Sequence, residues 1–203
     1  LSHGGRRAGR VSSRGYLEVT EGLLPVAPSP LPHPVPGQVV PRELTKAEIR
    51  EIVLQFGEAA RRTQEAGFDV LGLHCAHMYL CGEFLSTWAN IRTDEYGRDF
   101  EGRIKFVLEV IDEMKRKTGN RLPLIVRMNG EEPEGGNSLA QIGKIAAMLE
   151  KAGADAIHVS VGFGAPSKTS GVIPSVTAMR ERSGCIVHLA ENIKRHVSIP
   201  VIA

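Results

Sequence analysis

Residues 67–80 read GFDVLGLHCAHMYL, and this stretch decides the fold. Its first part, Phe68 to Leu73, is an apolar run too short for a helix, which predicts a buried strand. Two histidines and a tyrosine, His74, His77 and Tyr79, follow the run directly. Polar side chains at the carboxyl end of a buried strand are typical of the active-site edge of an α/β enzyme.

The segment before this strand predicts a helix. Thr45-Lys46-Ala47-Glu48 has the form of a capping box, and apolar residues then recur on one helical face as far as Gly67. The alternation of helix and strand then repeats three times. A helix from Glu101 to Lys117 precedes a strand from Leu122 to Met128, and a helix from the capping box Ser138 to Gln141 through Lys151 precedes a strand from Ala156 to Ser160. The last round is a helix from Ile186 to His196 and an apolar run from Ile199 to Ala203. Long crossovers between strands predict a parallel sheet, and hence an α/β fold.

Two architectures produce this alternation, the (β/α)8 barrel and the doubly wound open sheet. His74 follows the first strand, Arg127 closes the second and Ser160 closes the third, whereas no Gly-x-Gly-x-x-Gly opens a helix. These positions favour the barrel. A barrel needs eight strands, but the sequence gives four and a candidate remnant at Leu1 to His3. We therefore expect residues 1–203 to form a partial barrel domain that is truncated at both ends.

A proline-rich segment interrupts the first part of this domain. Residues 25–41 contain seven prolines, at positions 25, 28, 30, 32, 34, 36 and 41. Because proline has no backbone N–H to donate to a sheet, the segment predicts a long surface loop.

Composition restricts the class of partner. Lysine and arginine number 25 against 23 aspartates and glutamates, so the formal charge of +2 gives no reason to expect nucleic acid or an anionic membrane. No membrane span or signal peptide is predicted, and three cysteines form neither a disulfide framework nor a zinc motif. We expect a cytoplasmic protein that acts on a small molecule, and the sequence leaves its oligomeric state open.

The motifs carry a family resemblance. Residues 67–80 resemble the GFDGVEIHGAHGYL segment of the Old Yellow Enzyme family, and residues 84–86, 90–97 and 101–103 resemble its FLSP, NxRTDEYGG and ENR motifs in the same order. Residues 1–6 are similar to its QLSHGGR segment. The resemblance implies an FMN-dependent barrel enzyme with NAD(P)H as reductant, of which this chain covers about the third to seventh strands. An iron–sulfur cluster would lie only outside the segment.

The resemblance also implies roles for four side chains. His74 and His77 would bind the carbonyl oxygen of an α,β-unsaturated carbonyl, enoyl or dienoyl substrate, since donors held there ease hydride addition. Tyr79 would supply a proton to the α-carbon. Arg127 would lie near N1 and O2 of the flavin, where positive charge stabilises the reduced ring. The implied activity is reduction of an activated C=C bond by hydride transfer from flavin N5.

Other interpretations remain at this point. The chain could be a non-catalytic truncated barrel, because Cys75 and Met78 replace two family glycines. It could also be a flavin-independent barrel enzyme. Schiff-base chemistry is disfavoured, however, because no lysine lies at the end of a predicted strand. Arg98-Asp99-Phe100 also replaces the usual Gly-Ser-Leu. We expect His158 to be a core histidine with a satisfied hydrogen bond. The charged cluster of Arg92, Asp94, Glu95 and Arg103 is expected to fix loop structure.

Overall fold

The computed structural model describes residues 1–8, 24–32, 39–162 and 184–203 in full, together with the backbone of four short strand segments. The helices are α1 (Lys46–Glu65), α2 (Leu80–Leu85), α3 (Phe100–Thr118), α4 (Leu139–Lys151) and α5 (Val187–Lys194). The strands are β1 (Arg10–Val11), β2 (Leu17–Glu18), β3 (Val26–Ala27), β4 (Arg42–Glu43), β5 (Leu71–Cys75), β6 (Leu124–Asn129), β7 (Ala156–Ser160), β8 (Pro166–Ser167), β9 (Gly171–Val172) and β10 (Val201–Ile202).

A four-stranded parallel sheet forms the centre, in the order β10-β7-β6-β5. Residues 1–3 lie along the outer edge of β5, where the backbone N–H of His74 donates to the carbonyl of Leu1 at 3.0 Å and the N–H of Leu80 donates to that of His3 at 3.1 Å. These contacts put the candidate remnant beside the strand that it precedes in the predicted barrel.

The two faces of the sheet differ in character. The side chains of alternate residues pack against the helices and are buried: Leu71, Leu73, Cys75, Leu124, Val126, Met128, Ile157 and Val159. The intervening residues of β5 and β6, from Gly72 and His74 to Ile125 and Arg127, are exposed or half-buried. Since side chains alternate between faces along a strand, this second face is the one that a closed barrel turns inward.

Local capping determines where the helices begin. Both predicted capping boxes are present: the Thr45 hydroxyl accepts from the N–H of Glu48, and the Ser138 hydroxyl from that of Gln141. Asp99, one of the residues that departs from the family pattern, caps α3 by accepting from the N–H of Gly102 at 2.7 Å. An aspartate caps as well as the serine that it replaces, so this departure preserves the local structure.

The first predicted strand begins three residues later than expected. Phe68 is 62% exposed, and the strand runs from Leu71 to Cys75, so that His74 is part of it. The reason is the end of α1, where Gly67 has φ 79° and the N–H of Phe68 donates to the Thr63 carbonyl. This is a Schellman motif, which uses residues 66–68 to end the helix before the chain reaches the sheet.

The prediction of a surface loop over residues 25–41 is wrong at its start, and residues 33–38 lie outside the described residues. Ala27, Pro28 and Ser29 are buried, and β3 pairs with β4 in parallel. The proline carbonyl remains an acceptor although proline lacks a donor: Arg92 Nη1 donates to the Pro28 carbonyl at 2.9 Å. Backbone acceptors in this segment therefore bind the loop that precedes α3.

The short helix α2 was not predicted. All six of its residues are buried. It lies so close to β5 that a Cβ atom on Gly82 would be 2.9 Å from the carbonyl oxygen of Cys75. Tyr79 is its N-terminal cap residue but makes no side-chain capping bond, which leaves the phenol free of that task.

Candidate active site

The polar residues of the inner face lie in two rows. His74, Arg127 and His158 are register partners across β5, β6 and β7, and Asn129 pairs with Ser160 one step closer to the carboxyl ends. Because register partners in a parallel sheet point to the same face, these five side chains share the carboxyl-terminal part of the inner surface. This is the edge at which barrel enzymes place their catalytic groups.

His74, His77 and Tyr79 form one aromatic cluster. The ring centroids of His74 and His77 are 5.1 Å apart, and those of His74 and Tyr79 are 4.7 Å apart, both edge to face. The guanidinium carbon of Arg7 lies 5.3 Å from the centre of the Tyr79 ring. The structure thus brings together the three residues that the sequence singled out after β5.

An unusual backbone turn places His77. Both His77 and Met78 lie in the left-handed region, with φ 57° and 58°, which non-glycine residues rarely adopt. Met78 is buried and packs with Ala89 and Trp88. Of the two residues that replace family glycines, Met78 therefore adopts a backbone conformation that favours glycine, whereas Cys75 lies within a strand.

Three hydrogen bonds to other described residues hold His77. Its backbone N–H donates to Asn129 Oδ1 at 3.3 Å, its carbonyl accepts from Arg7 Nη1 at 2.9 Å, and its ring Nε2 lies 2.7 Å from Ser160 Oγ. The residue is 8% exposed. These contacts tie the loop after β5 to the ends of β6 and β7, so the position of His77 is fixed by elements distant in sequence.

Arg127 is the charged centre of the inner face. Its Nη2 donates to Ser160 Oγ at 3.0 Å, whereas its Nε is buried and has no hydrogen-bond partner among the described residues. A buried donor without an acceptor is costly, by about 1–3 kcal/mol. An acceptor outside the described residues, such as one on a bound group, would satisfy this donor.

The electrostatics of the cluster favour neutral histidines. Burial, and after it the positive charge of Arg127, lowers the pKa of His74 to about 4 and the pKa of His77 to about 4. Burial also lowers the pKa of His158, again with a contribution from Arg127. At neutral pH, His74 and His77 are uncharged imidazoles, each with one N–H to donate and one nitrogen to accept.

Several site residues were missed or misjudged. His158 makes no hydrogen bond among the described residues and lies half-buried beside Arg127, so the expectation of a satisfied core histidine is wrong. Ser160 was recognised only as a strand end, and Asn129 and Arg7 were not considered. The two-residue spacing of His158 and Ser160 could have placed both on the inner face.

Arg92, Asp94 and Glu95 have the structural role expected of the charged cluster, whereas the buried Nε of Arg103 makes no hydrogen bond to the described residues. Arg92 is 8% exposed, and its guanidinium donates to the carbonyls of Pro28 and Leu44 and pairs with Asp94 at 2.6 Å. Glu95 pairs with Lys46 on α1. These bonds hold the β5-to-α3 connection against the segment before α1.

Within the described part of the chain, no helix is long and apolar enough to cross a membrane. The same residues contain no group of three or more histidine, cysteine, aspartate or glutamate side chains that could hold a metal ion.

Fold and site together define a partial α/β barrel with a cationic and histidine-rich inner edge, a class that includes flavin-dependent oxidoreductases. The chain is a member of the NADH:flavin oxidoreductase / NADH oxidase family, whose model matches residues 1–203. It is 46% identical over 196 residues to an NADH oxidase of Thermoanaerobacter brockii, an alignment that covers 96% of this chain and 29% of that protein.

Solved structures give the same result. A 2-naphthoyl-CoA reductase complex superposes with a TM-score of 0.77 at 30% identity, covering 88% of this chain and 26% of that one. An old yellow enzyme homologue from Zymomonas mobilis superposes with a TM-score of 0.68 at 26% identity, covering 89% and 50%. The resemblance to the Old Yellow Enzyme family and the partial (β/α)8 barrel are thus confirmed, and this chain spans half or less of these relatives.

The cofactors of this family are FMN and NAD(P)H, as the sequence motifs implied. The residues present fit FMN at one identifiable place. The flavin ring system offers nitrogen and carbonyl-oxygen acceptors along one edge, and the buried Arg127 Nε lacks an acceptor.

Proposed function

We propose that the protein carrying this chain is an FMN-dependent NAD(P)H oxidoreductase that reduces activated C=C bonds of α,β-unsaturated carbonyl, enoyl or dienoyl compounds. The observation that supports it most is the convergence of His74, His77 and Tyr79 beside Arg127 at the carboxyl edge of the sheet. Neutral donors, a phenol and a cation are the groups that such a reduction requires.

His74 and His77 bind the substrate carbonyl oxygen in this proposal. Since both pKa values are lowered to about 4, the rings donate as neutral imidazoles at pH 7. Among the described residues His74 makes no ring hydrogen bond and His77 uses only Nε2, so each retains a nitrogen for a ligand. Two donors on one oxygen stabilise the negative charge that develops there when hydride reaches the β-carbon.

Tyr79 delivers the proton to the α-carbon. A phenol carries its proton at neutral pH and can donate it to an enolate. The ring of Tyr79 is held on one side by His74 and on another by Arg7, which orients the hydroxyl without using it for a helix cap. Hydride and proton together saturate the C=C bond.

Arg127 holds the cofactor. FMN, when bound and reduced by NAD(P)H, supplies the hydride from N5. Arg127 would direct its free Nε toward an acceptor on the flavin while Nη2 stays bonded to Ser160. Its positive charge favours the reduced, electron-rich form of the ring.

The names of relatives suggest other electron acceptors that deserve parallel assays. One is an NADH oxidase, and another, 40% identical over 181 residues, is a metal reductase of Desulforamulus reducens.

The remaining parts of the proposal are a cytoplasmic location and a small-molecule substrate. The competing interpretation is a non-catalytic barrel, motivated by the strained turn at Met78.

The test uses the full-length protein, purified without added flavin. We expect bound FMN, anaerobic bleaching of its absorbance by NADH or NADPH, and its return on addition of 2-cyclohexenone or crotonyl-CoA with formation of the saturated product. Oxygen and ferric citrate are each added to separate samples of the reduced protein as alternative electron acceptors. Absence of FMN would support the non-catalytic barrel, and reoxidation by oxygen or iron alone would refute C=C reduction.

A further inference from the structure

Ser160 joins the two halves of the candidate site. Its Oγ lies 2.7 Å from His77 Nε2 and 3.0 Å from Arg127 Nη2, and the residue is 5% exposed. No other residue in the described chain hydrogen-bonds to both. His77 is the proposed substrate donor and Arg127 the proposed flavin contact, so one hydroxyl connects groups that act on different molecules.

The proton arrangement follows from counting donors and acceptors. A guanidinium group can only donate, so Ser160 Oγ accepts from Arg127 and retains one hydrogen and one lone pair. If His77 Nε2 also donated to it, the hydroxyl hydrogen would have no partner among the described residues. That arrangement would leave both the hydroxyl hydrogen and the Nδ1 lone pair unpaired within the residues that the structure describes, whereas an accepting Nε2 leaves only the Nδ1 hydrogen unpaired. The favoured arrangement has Ser160 donating to an unprotonated Nε2.

This arrangement fixes the tautomer of His77. A neutral imidazole carries one ring proton, and when Nε2 accepts, the proton is on Nδ1. Nδ1 has no hydrogen-bond partner in the described part of the chain, so its N–H is free for a ligand. A His77 ring without this constraint would divide between two tautomers, only one of which presents Nδ1–H.

We propose that Ser160 is a positioning residue that sets the ring orientation and the tautomer of His77 and couples it to Arg127, so that the substrate donor and the flavin contact are held as one unit. Its effect on the substrate passes through His77, which it contacts directly. This inference rests on the proposed function for the roles of His77 and Arg127, but the tautomer itself does not depend on turnover.

The first test measures the tautomer in the full-length, FMN-loaded protein labelled with ¹⁵N-histidine, with the His77 signals assigned by their loss in His77→Asn. We expect a protonated Nδ1 and an unprotonated Nε2 in the wild type. Ser160→Ala should give a mixture of both forms, and Ser160→Thr, which keeps the hydroxyl, should retain the wild-type pattern. A protonated Nε2 in the wild type, or an unchanged tautomer in Ser160→Ala, overturns the proposal.

The second test is a double-mutant cycle on binding of a phenolic ligand, 4-hydroxybenzaldehyde, measured by calorimetry without turnover. Ser160→Ala should weaken binding by about tenfold, as for loss of one hydrogen bond. In a His77→Ala background the same change should alter affinity by less than about twofold, because the coupled partner is gone. An equal loss in both backgrounds would show that Ser160 does not act through His77.

The two tests also separate this inference from the proposed function. A protein that reduces no C=C bond, yet shows a Ser160-dependent tautomer and coupling, would refute the function and retain the positioning role. An active C=C reductase in which the His77 tautomer is the same with and without the Ser160 hydroxyl would support the function and refute the positioning role.

Discussion

His74 and Arg127 are register partners on neighbouring parallel strands, on the face that a closed barrel turns inward. The placement explains two properties of the site at once. The positive charge of Arg127 contributes to the lowered pKa of His74. The Nε of Arg127 has no acceptor in the described part of the chain. A cation beside a neutral donor suits a site that binds both an electron-rich cofactor and a carbonyl oxygen.

Tyr79→Phe should separate the two half-reactions. The substitution removes the proposed proton donor but keeps the ring that packs against His74. Reoxidation of reduced FMN by an enone should therefore slow by about 10²- to 10⁴-fold, the usual contribution of a general acid, while reduction of FMN by NAD(P)H stays within about twofold. Stopped-flow absorbance measures both. An unchanged oxidative half-reaction would assign the proton to another group.

His77→Ala should impair binding and hydride transfer together. Removing one of the two proposed donors to the carbonyl oxygen is expected to slow the oxidative half-reaction by roughly ten- to a thousandfold and to weaken phenol binding. His77→Asn is the matched control, because its amide can still donate, and it should recover part of both losses. Equal behaviour of the alanine and asparagine variants would show that the lost donor is not the cause.

The depressed pKa of His74 predicts a pH-dependent stability. The folded pKa of about 4 lies below the unfolded value near 6.5, so between these pH values the unfolded chain binds more protons. The contribution of neutral His74 to the free energy of unfolding is fully present above about pH 6.5 and is lost as the pH falls toward 4. The positive charges of Arg127, Arg7 and His158 also lower the pKa of His74. His74 in turn lowers the pKa of His77, so the two histidines titrate together.

Comparison with His74→Gln measures the contribution of His74 together with its effect on the pKa of His77. Glu83 titrates with the opposite sign, since burial raises its pKa to about 7 and its ionisation disfavours folding as the pH rises from 4.5. That effect is common to both proteins and cancels in their difference. Urea unfolding between pH 7.5 and 4.5 should show the wild type losing stability more steeply than the variant as the pH falls. Parallel curves would contradict the assignment.

Glu83→Ala tests the buried ion pair that holds residues 5–7 against α2. Arg6 Nε lies 2.9 Å from Glu83 Oε1, and both side chains are almost fully buried. Removal of the carboxylate leaves a buried guanidinium without its partner and should reduce the free energy of unfolding by about 3–5 kcal/mol. The control is Glu191→Ala, which breaks an exposed pair with Arg195 and should have little effect. Similar losses in both would exclude burial as the cause.

Features that depend on residues close together in the sequence could be predicted, whereas contacts between distant residues could not. Both capping boxes were predicted because each needs only residues three apart, such as Thr45 and Glu48. The site motif gave His74, His77 and Tyr79 for the same reason. The bond between His77 and Ser160 joins residues 83 apart, and it depends on the register of three strands and on the left-handed turn at His77. No periodicity in one segment reports such a contact.

The turn at Met78 gives a prediction in which two effects oppose each other. Met78 has φ 58°, so glycine, the family's usual residue, would relieve a backbone conformation that costs an L-residue about 1–2 kcal/mol. Its side chain is 1% exposed and packs with Ala89, and truncation of such a methionine costs about 2–5 kcal/mol. The packing term is larger, so Met78→Gly should destabilise the protein although it restores the family residue.

Met78→Ala distinguishes the two terms, because it loses the same packing and keeps the strained backbone. We expect the alanine variant to be less stable than the glycine variant by about 1 kcal/mol, after allowance for the greater flexibility of glycine in the unfolded chain. Urea unfolding of the wild type and both variants measures the order. If alanine proves more stable than glycine, the left-handed turn carries no appreciable strain, and the methionine is retained for packing alone.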